Sequence, residues 1–540
     1  MQINNNKLQN ININKNAPTK KEVVSENLSE QKTYDSLVQN TSSYVMPFLG
    51  KSNSKIQPKK QPLKPLTKEE HSVKNAINKL NSDYHLKEVE AEKAYWNYIT
   101  NNTEENQAKL DKAQNDCDAF YQDEKLYNKF KNLKKNSKIK NADLKQELDE
   151  VLETFKLYNS PEVDDDNDND YLKVRNAQKK VQLKANKFEN PEGVEYRDYI
   201  SKDIVRLVKT RNTYAKKNGY ANFYEMKLAE QGKDPKKVDE MFEKITNATN
   251  DIEKNSKSIS KETEALIASK LDKNNILGMC SDVYKNMGWN IMDMPIKEFD
   301  LFPRKNKINS RQTNSIDPNK DVRVLADLDI ENRPLFSVST LMHELGHAVH
   351  YSSFDDKLPN SQKSITSETI DEGVALLMGS LMEKEGTISK VLELPEKATK
   401  EIQEASLFNK VDKIRSYIQV DRFEKAMYEN PNQDLQKLWK DCGEKYSNKN
   451  YSKLEWTDID HFIHSPVYYH YYAEGEIVAE QLYNAASKNG SIKLTESKDT
   501  AKFFNNKIFK YGSSKTEDEI LKLATGKNLD VDAYCKQFKK

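Results

Sequence analysis

Two histidines and a glutamate in the stretch TLMHELGHAVH, residues 340–350, have the types and the spacing of a metal site. His343 and His347 stand four residues apart, and Glu344 directly follows the first histidine, an HExxH pattern. On a helix this spacing places both imidazoles on one face, where their nitrogens can reach one zinc ion. Glu344 would lie beside that ion, able to take a proton from a water molecule. A helix that uses histidines for packing has the same pattern, so both interpretations stay open here.

A hydrolytic zinc site needs a third protein ligand and an open position for water. The segment SITSETIDEGVALLMGSLMEKE, residues 364–385, has the apolar spacing of a buried helix. It offers three carboxylates, which are Glu368, Asp371 and Glu372. Glu372 enters the apolar part directly before Gly373, where an unpaired carboxylate is costly and a metal would remove the cost. The pattern favours Glu372 and leaves the other two as alternatives.

Histidines are rare in this chain but concentrated in two places. Of the eight histidines, three lie in residues 343–350 and three in residues 461–470. Two dense clusters in a histidine-poor chain indicate one site assembled from two segments. The alternative is packing, because the segment PVYYHYY, residues 466–472, also has the composition of an aromatic core.

Charge, apolar runs and cysteine content bear on the partners and the cellular location of the protein. The 540 residues carry a formal net charge of +1, which predicts neither a nucleic-acid partner nor an acidic membrane surface. The sequence has no apolar run of 18 residues and no apolar region near its first residue, so we expect no membrane span and no secretory signal. The four cysteines are scattered and predict no disulfide framework. A cytoplasmic protein is the expectation.

Most of the chain reads as helical. Residues 1–65 are rich in Asn, Lys, Ser and Pro and predict a disordered arm, whereas residues 66–540 predict one domain. Thr67 and Glu70 have the spacing of a capping box at the first helix. Helical periodicity continues through four further stretches, which are 138–159, 195–218, 234–270 and 398–430.

Three other stretches predict strands or loops instead of helices. Residues 296–304 and 321–329 have strand character on either side of a polar loop and predict an antiparallel pair. The acidic run DDDNDND, residues 164–170, fails as a calcium loop because position 6 is Asn169 and position 12 is Arg175. A solvated loop is the better interpretation of that run.

Taken in order, six segments between about residues 195 and 485 resemble one family. They are similar to segments of the zinc oligopeptidases of the angiotensin-converting-enzyme, thimet-oligopeptidase and oligoendopeptidase superfamily (gluzincins), and look closest to the bacterial members. The segments are SKDIVRLVKTRNTYAKKNGYANFYEMKLAEQGKDP, FDLFPRKNK, DVRVLADLD, LMHELGHAVH with DEGVALLMGSL, FEKAMYENPNQDLQKLWKD, and HFIHSPVYYHYYAEGEIVAEQL.

The resemblance implies a mainly α-helical, ellipsoidal peptidase domain over residues 66–540. Two helical halves would flank a deep channel, with a small β-hairpin near the zinc helix and short peptides as substrates. It also implies one Zn²⁺ per chain. The resemblance assigns zinc binding to His343, His347 and Glu372, the general base to Glu344, and stabilisation or binding of the substrate to His461, Tyr468 and Tyr471.

The sequence departs from the family pattern in three places. Ser310 and Arg311 stand where relatives carry a His-Ala pair on the substrate-binding strand. Ile459 replaces a lysine that binds the substrate's terminal carboxylate in the converting enzymes, and an apolar side chain offers a carboxylate nothing. His470 replaces an arginine tied to chloride, so chloride activation is not expected.

Three functions follow as hypotheses. An oligoendopeptidase for short peptides is favoured, because Ile459 weakens recognition of a free carboxyl terminus. A dipeptidyl carboxypeptidase with the same chemistry is the first alternative. An inactive, peptide-binding descendant is the second, motivated by the altered segment 308–316 and opposed by the presence of Glu344, which is not a ligand.

Overall fold

The structure is a computed structural model that describes residues 12–13, 65–158, 170–185, 194–252, 259–447 and 455–538. The predicted arm, residues 1–65, lies outside the described residues except for Asn12–Ile13 and its last residue. The acidic run 164–170, apart from its final residue, also lies outside them.

The described part of the chain is mainly helical, as predicted. The helices are α1 (Lys68–Thr100), α2 (Glu104–Gln122), α3 (Glu124–Asn136), α4 (Ala142–Tyr158), α5 (Asp170–Ala185), α6 (Val194–Lys217), α7 (Phe223–Glu230), α8 (Pro235–Thr249), α9 (Lys261–Ala268), α10 (Ile276–Met287), α11 (Pro334–Tyr351), α12 (Glu368–Lys384), α13 (Thr387–Val391), α14 (Glu396–Glu429), α15 (Leu435–Tyr446), α16 (His461–His464), α17 (Tyr469–Ala486), α18 (Asp499–Lys507), α19 (Glu517–Thr525) and α20 (Val531–Lys536). The strands are β1 (Asn12–Ile13), β2 (Ile296–Asp300), β3 (Gln312–Asp317) and β4 (Asp321–Leu325). Among these described helices, none combines the length and the apolar character needed to cross a bilayer.

The chain divides into two compact units. The helical unit comprises residues 44–189 and 205–233, and the mixed unit comprises residues 1–43, 190–204 and 234–540. In the helical unit, α1 begins at the predicted capping box, in which Glu70 N–H donates to Thr67 and Thr67 N–H donates to Glu70. Apolar residues three and four apart on α1 and α4 join aromatic residues of α2 and α3 in one buried cluster, which is the core of this unit.

The mixed unit contains the sheet and both segments of the candidate site. Its sheet has the order β1-β2-β4-β3. β3 and β4 form an antiparallel hairpin, with Thr313 paired to Val324, and this hairpin matches the predicted fold class. β2 runs parallel to β4, so the predicted antiparallel pairing of residues 296–304 with 321–329 is wrong. The reason is β3, whose polar sequence gives no sign of a strand. β3 pairs with β4 in the antiparallel direction, and β2 pairs with the other edge of β4 in the parallel direction.

The stretch 234–270 is helical, as predicted, and its described residues contain two helices, α8 and α9. Pro235 stands in the first turn of α8, and Ser260 caps α9 by accepting a hydrogen bond from Thr263 N–H. The second cap starts a new helix, which the apolar periodicity alone could not reveal.

The candidate site depends on three helices that pack at unusually short range. A Cβ atom on Gly346 of α11 would lie 3.1 Å from the Ala375 Cα atom on α12. A Cβ atom on Gly373 of α12 would lie 2.5 Å from the Val478 Cγ1 atom on α17. The first distance is tighter than most real Cβ contacts and the second is shorter than real Cβ atoms show, so glycine at these two positions permits the close packing of α11, α12 and α17.

Candidate metal centre

The structure brings together the three residues that the sequence favoured as metal ligands. On α11 the Nε2 atoms of His343 and His347 lie 3.2 Å apart. Glu372 on α12 places its Oε2 atom 3.8 Å from Nε2 of His343. The potential ligand atoms of the three residues all lie within 4.8 Å of one another. Two imidazoles and one carboxylate on two crossing helices therefore converge on one point.

The chemistry of this cluster fits a divalent cation. Glu372 is buried, and its Oε1 atom has no hydrogen-bond partner. Burial raises the pKa of Glu372 to about 7, which expresses the cost of a buried negative charge without a partner. Burial lowers the pKa of His347, but the carboxylates of Asp371, Glu372 and Glu344 outweigh it and raise that pKa to about 10. The surroundings are strongly anionic, and His and carboxylate donors suit zinc.

Asp371 supports the cluster from behind. Its Oδ2 atom lies 2.9 Å from Nδ1 of His347, an ion-pair contact angled away from ideal hydrogen-bond geometry. It also accepts a hydrogen bond of 2.7 Å from the Tyr351 hydroxyl and lies 2.7 Å from Nδ1 of His350. Burial raises the pKa of Asp371, but His347 and His350 outweigh burial and hold it well below its usual range. Because both oxygens are engaged, Asp371 is placed to hold the orientation of the candidate ligand His347.

The sequence predicts Asp371 only as an alternative ligand, whereas the structure shows it beside the outer nitrogen of His347. Its position offers a signal, since neighbours on a helix point about 100° apart. If Glu372 faces the metal, Asp371 must face elsewhere, and here it faces the outer nitrogen of His347.

Glu344 is held in place by the hairpin. The Thr313 hydroxyl on β3 lies 3.0 Å from Oε2 of Glu344 and 2.8 Å from its backbone oxygen. Glu344 is 3% exposed, and burial raises its pKa to about 7. A carboxylate with such a pKa is suited to accept and return a proton near neutral pH. Thr313 was not singled out from the sequence, because β3 was not recognised as a strand.

The second histidine segment lies on α16 and α17. His461 begins α16; its Nδ1 atom lies 2.9 Å from Asp460 and its Nε2 atom 3.3 Å from the Tyr472 hydroxyl. The Tyr468 hydroxyl donates a hydrogen bond of 3.0 Å to Glu368. Glu368 stands one turn before Glu372 on α12, so this bond joins the second segment to the ligand helix.

Tyr471 is half-buried, and its ring centre lies 5.3 Å from that of Tyr468. Burial and the nearby carboxylates of Glu368, Glu474 and Glu517 raise the pKa of Tyr471 well above its usual value. Its hydroxyl therefore keeps its proton and can donate a hydrogen bond. The segment also has the packing role considered from the sequence, because Tyr469 and Tyr472 are buried.

The three departures from the family pattern have distinct surroundings. Arg311 directly precedes β3, is 9% exposed, and its guanidinium carbon lies 5.3 Å from the ring centre of Phe336. Ile459 is 2% exposed and packs in the protein interior. His470 is fully buried, with its ring centre 4.2 Å from that of Tyr471.

Comparisons with known proteins agree with this description. The family model described as Peptidase family M3 matches residues 282–540, the segment that carries every candidate ligand. No curated protein matches the sequence. The family match supports a metallopeptidase.

Several solved structures share the fold. An M32 carboxypeptidase from Deinococcus radiodurans R1 is 12% identical, with a TM-score of 0.68 over 87% of this chain and 98% of that one. A carboxypeptidase from Pyrococcus furiosus is 15% identical, with a TM-score of 0.68 over 88% and 99%. Metallocarboxypeptidase 1 from Trypanosoma cruzi is 15% identical, with a TM-score of 0.59 over 87% and 98%. At these identities the likeness shows only the fold. The link to peptidases comes from the family model.

Proposed function

We propose that this protein is a zinc-dependent peptidase that hydrolyses peptide bonds in short peptides, in the manner of an oligoendopeptidase. The observation that carries the proposal is the position of Glu344. Its buried carboxyl group is fixed by Thr313 and directly follows the ligand candidate His343. Packing gives no reason to bury a carboxyl group there, whereas hydrolysis needs a base at that place.

His343, His347 and Glu372 would hold the zinc ion, one per chain. When bound, zinc supplies Lewis-acid chemistry at the peptide carbonyl. Glu344 takes a proton from the attacking water and passes it to the leaving amine, for which a pKa of about 7 is well placed. Asp371 keeps the proton of His347 on Nδ1, so that Nε2 offers its lone pair.

His461 and Tyr471 are proposed to stabilise the negative charge that develops on the carbonyl oxygen. Tyr471 can do so because its raised pKa keeps it a donor. Tyr468 is proposed to contact the substrate from the same segment. β3 stands at the end of the sheet order in the described residues, and an extended peptide could add to that edge through main-chain hydrogen bonds.

A dipeptidyl carboxypeptidase is the second candidate. The likeness in fold to the carboxypeptidases named above favours it. The apolar surroundings of Ile459 oppose it, because nothing at that position can pair with a terminal carboxylate. An inactive, peptide-binding descendant is a weaker candidate, because the clustering of the three candidate ligands and the hydrogen bond that holds Glu344 support a hydrolytic site.

The test is metal content together with cleavage of an internally quenched peptide, offered with a free and then an amidated carboxyl terminus. One zinc per chain and cleavage of both forms are the expected results. Cleavage of the free form alone would replace the proposal with the carboxypeptidase. Bound zinc without cleavage of a varied peptide set would replace it with the binding protein.

A further inference from the structure

Val467 has a backbone conformation that its side chain opposes. Its φ angle is +59°, in the left-handed region, and among the described non-glycine residues with positive φ it is the only β-branched one. Side chains branched at Cβ are genuine outliers there, because the branch crowds the backbone. Such a conformation persists only when neighbouring groups enforce it.

The enforcing group is a buried carboxylate on another helix. Glu424 of α14 is fully buried, and its Oε1 atom accepts a hydrogen bond of 2.9 Å from the Val467 backbone N–H. Val467 is itself fully buried. A backbone N–H that left this carboxylate would have to find another partner away from water, so the bond can hold the unfavourable φ angle.

Val467 lies in the turn between α16 and α17, the two helices that carry the second histidine segment. α16 ends at His464 and α17 begins at Tyr469, so residues 465–468 alone connect them. His461 lies on the first side of this turn, and Tyr468 and Tyr471 lie on the second. The ring centres of His461 and Tyr468 are 5.8 Å apart across the turn. The φ angle of Val467 therefore sets where the tyrosines stand relative to the histidine.

α14 braces both sides of the turn as well. The ring centre of Phe423, next to Glu424, lies 5.5 Å from that of Phe462 on α16. The ring centre of Tyr417 lies 5.1 Å from that of Tyr472 on α17. These apolar contacts fix the two short segments on α14, and the Glu424 bond fixes the direction of the turn between them.

We infer that Glu424 is a positioning residue of the peptidase reaction, acting through the strained backbone of Val467 to aim Tyr468 and Tyr471 at the substrate. The inference rests on the proposed function, since it assigns those tyrosines to the substrate. Glu424 touches no reacting atom in this scheme.

The test first removes the Glu424 carboxylate that accepts the hydrogen bond, and then removes the side chain that strains the backbone at Val467. In Glu424→Met the N–H loses its partner, Val467 relaxes toward negative φ, and kcat is expected to fall about 10- to 100-fold, with metal content unchanged and KM changed less. In the double variant Glu424→Met/Val467→Gly, glycine adopts φ +59° without crowding, so most of the lost kcat is expected to return. Recovery on adding a glycine distinguishes positioning from a purely structural role, since glycine restores no contact.

Three further variants complete the test. Glu424→Gln keeps a side-chain oxygen as acceptor and is expected to keep kcat within about twofold. Glu401→Met is the matched control. It removes another carboxylate of α14, one that accepts hydrogen bonds from Ser260 and Thr263, and we expect kcat to be unchanged. If Glu424→Met fails to fold, Val467→Pro removes the N–H donor and also holds φ at about −65°, so it is expected to lower kcat at least as much.

Hydrogen exchange of the Val467 amide gives a measure that does not depend on activity. Exchange of the amide at position 467 is expected to accelerate at least about tenfold in Glu424→Met and to stay fast in the double variant, because glycine restores no acceptor. Full kcat in Glu424→Met or Val467→Pro, or a loss that glycine does not recover, would overturn the inference. Absence of peptide cleavage by the zinc-loaded wild type would instead overturn the proposed function, so the two failures are distinct.

Discussion

Oδ2 of Asp371 lies 2.9 Å from Nδ1 of His347, on the side of the ring away from the ligand cluster. A carboxylate in this place fixes the imidazole tautomer and its orientation. Asp371→Asn is therefore expected to weaken metal affinity about 10- to 100-fold, as measured by competition with a chelator.

The matched control is Tyr351→Phe. It removes one hydrogen bond to Asp371 and leaves the contact with His347 in place, so a smaller loss of affinity is expected. Equal affinity in Asp371→Asn and the wild type would mean that His347 is oriented by its packing alone.

Glu344→Gln tests the general base. The amide keeps the shape of the side chain and can still bind Thr313, but it cannot take a proton. We expect cleavage to fall at least about 10²-fold while zinc still binds, measured by peptide hydrolysis and metal content. Glu331→Gln changes an exposed carboxylate just before α11 and should behave as the wild type. Retained activity in Glu344→Gln would remove this residue from the mechanism.

Comparison of Glu372→Ala with Glu368→Ala tests which of the two carboxylates is the third metal ligand. Oε2 of Glu372 lies 3.8 Å from Nε2 of His343, whereas Glu368 accepts a hydrogen bond from the Tyr468 hydroxyl. Loss of most of the bound zinc is expected for the first substitution and full retention for the second, as measured by metal analysis after dialysis. The reverse pattern would transfer the third ligand to Glu368.

Glu480 links stability to pH. Its Oε2 atom lies 2.7 Å from Lys384 and 3.2 Å from Lys410, and although burial raises its pKa, the two lysines outweigh burial and lower it from the ordinary 4.5. The stabilisation is therefore complete above about pH 4.5 and is lost as the pH falls through the lower value in the folded protein. Burial lowers the pKa of Lys384, but that change concerns alkaline pH.

Glu480→Gln should lower the free energy of unfolding by about 1–3 kcal/mol at pH 7, because two partly buried lysines lose their partner. The difference from the wild type should shrink below pH 4, as measured by urea unfolding. Glu496→Gln, in an exposed pair with Lys390, is the control and should change the free energy by about 0–1 kcal/mol. A difference that grows on acidification would reverse the assignment.

Deletion of residues 1–60 tests the predicted arm. In the described residues, its only contact with the sheet is β1, whose two residues pair with Glu298 and Phe299. We expect peptide cleavage to be unchanged and the melting temperature to fall by about 2 °C or less. A large loss of either would mean that the arm is an integral part of the fold.

The sequence predicted the long helices well because their apolar residues recur at three and four positions, as in α1 and α14. It also predicted which residues meet at the cluster, because the spacing of His343 and His347 fixes a face. It did not predict the parallel pairing of β2 with β4, since strand character carries no direction. Nor did it predict Val467, because a positive φ angle at a β-branched residue contradicts the local preference and arises only from a tertiary contact.

Backbone contact at Gly346 and Gly373 has a consequence for how the protein acquires its metal. The helices that carry the ligands are locked together by packing, so the ligand set is assembled before any ion arrives. Small zinc domains are different, since they fold only when the ion binds. For the proposed metal site we therefore expect that a chelator removes the ion, and that the same or another divalent ion binds again, while the chain stays folded.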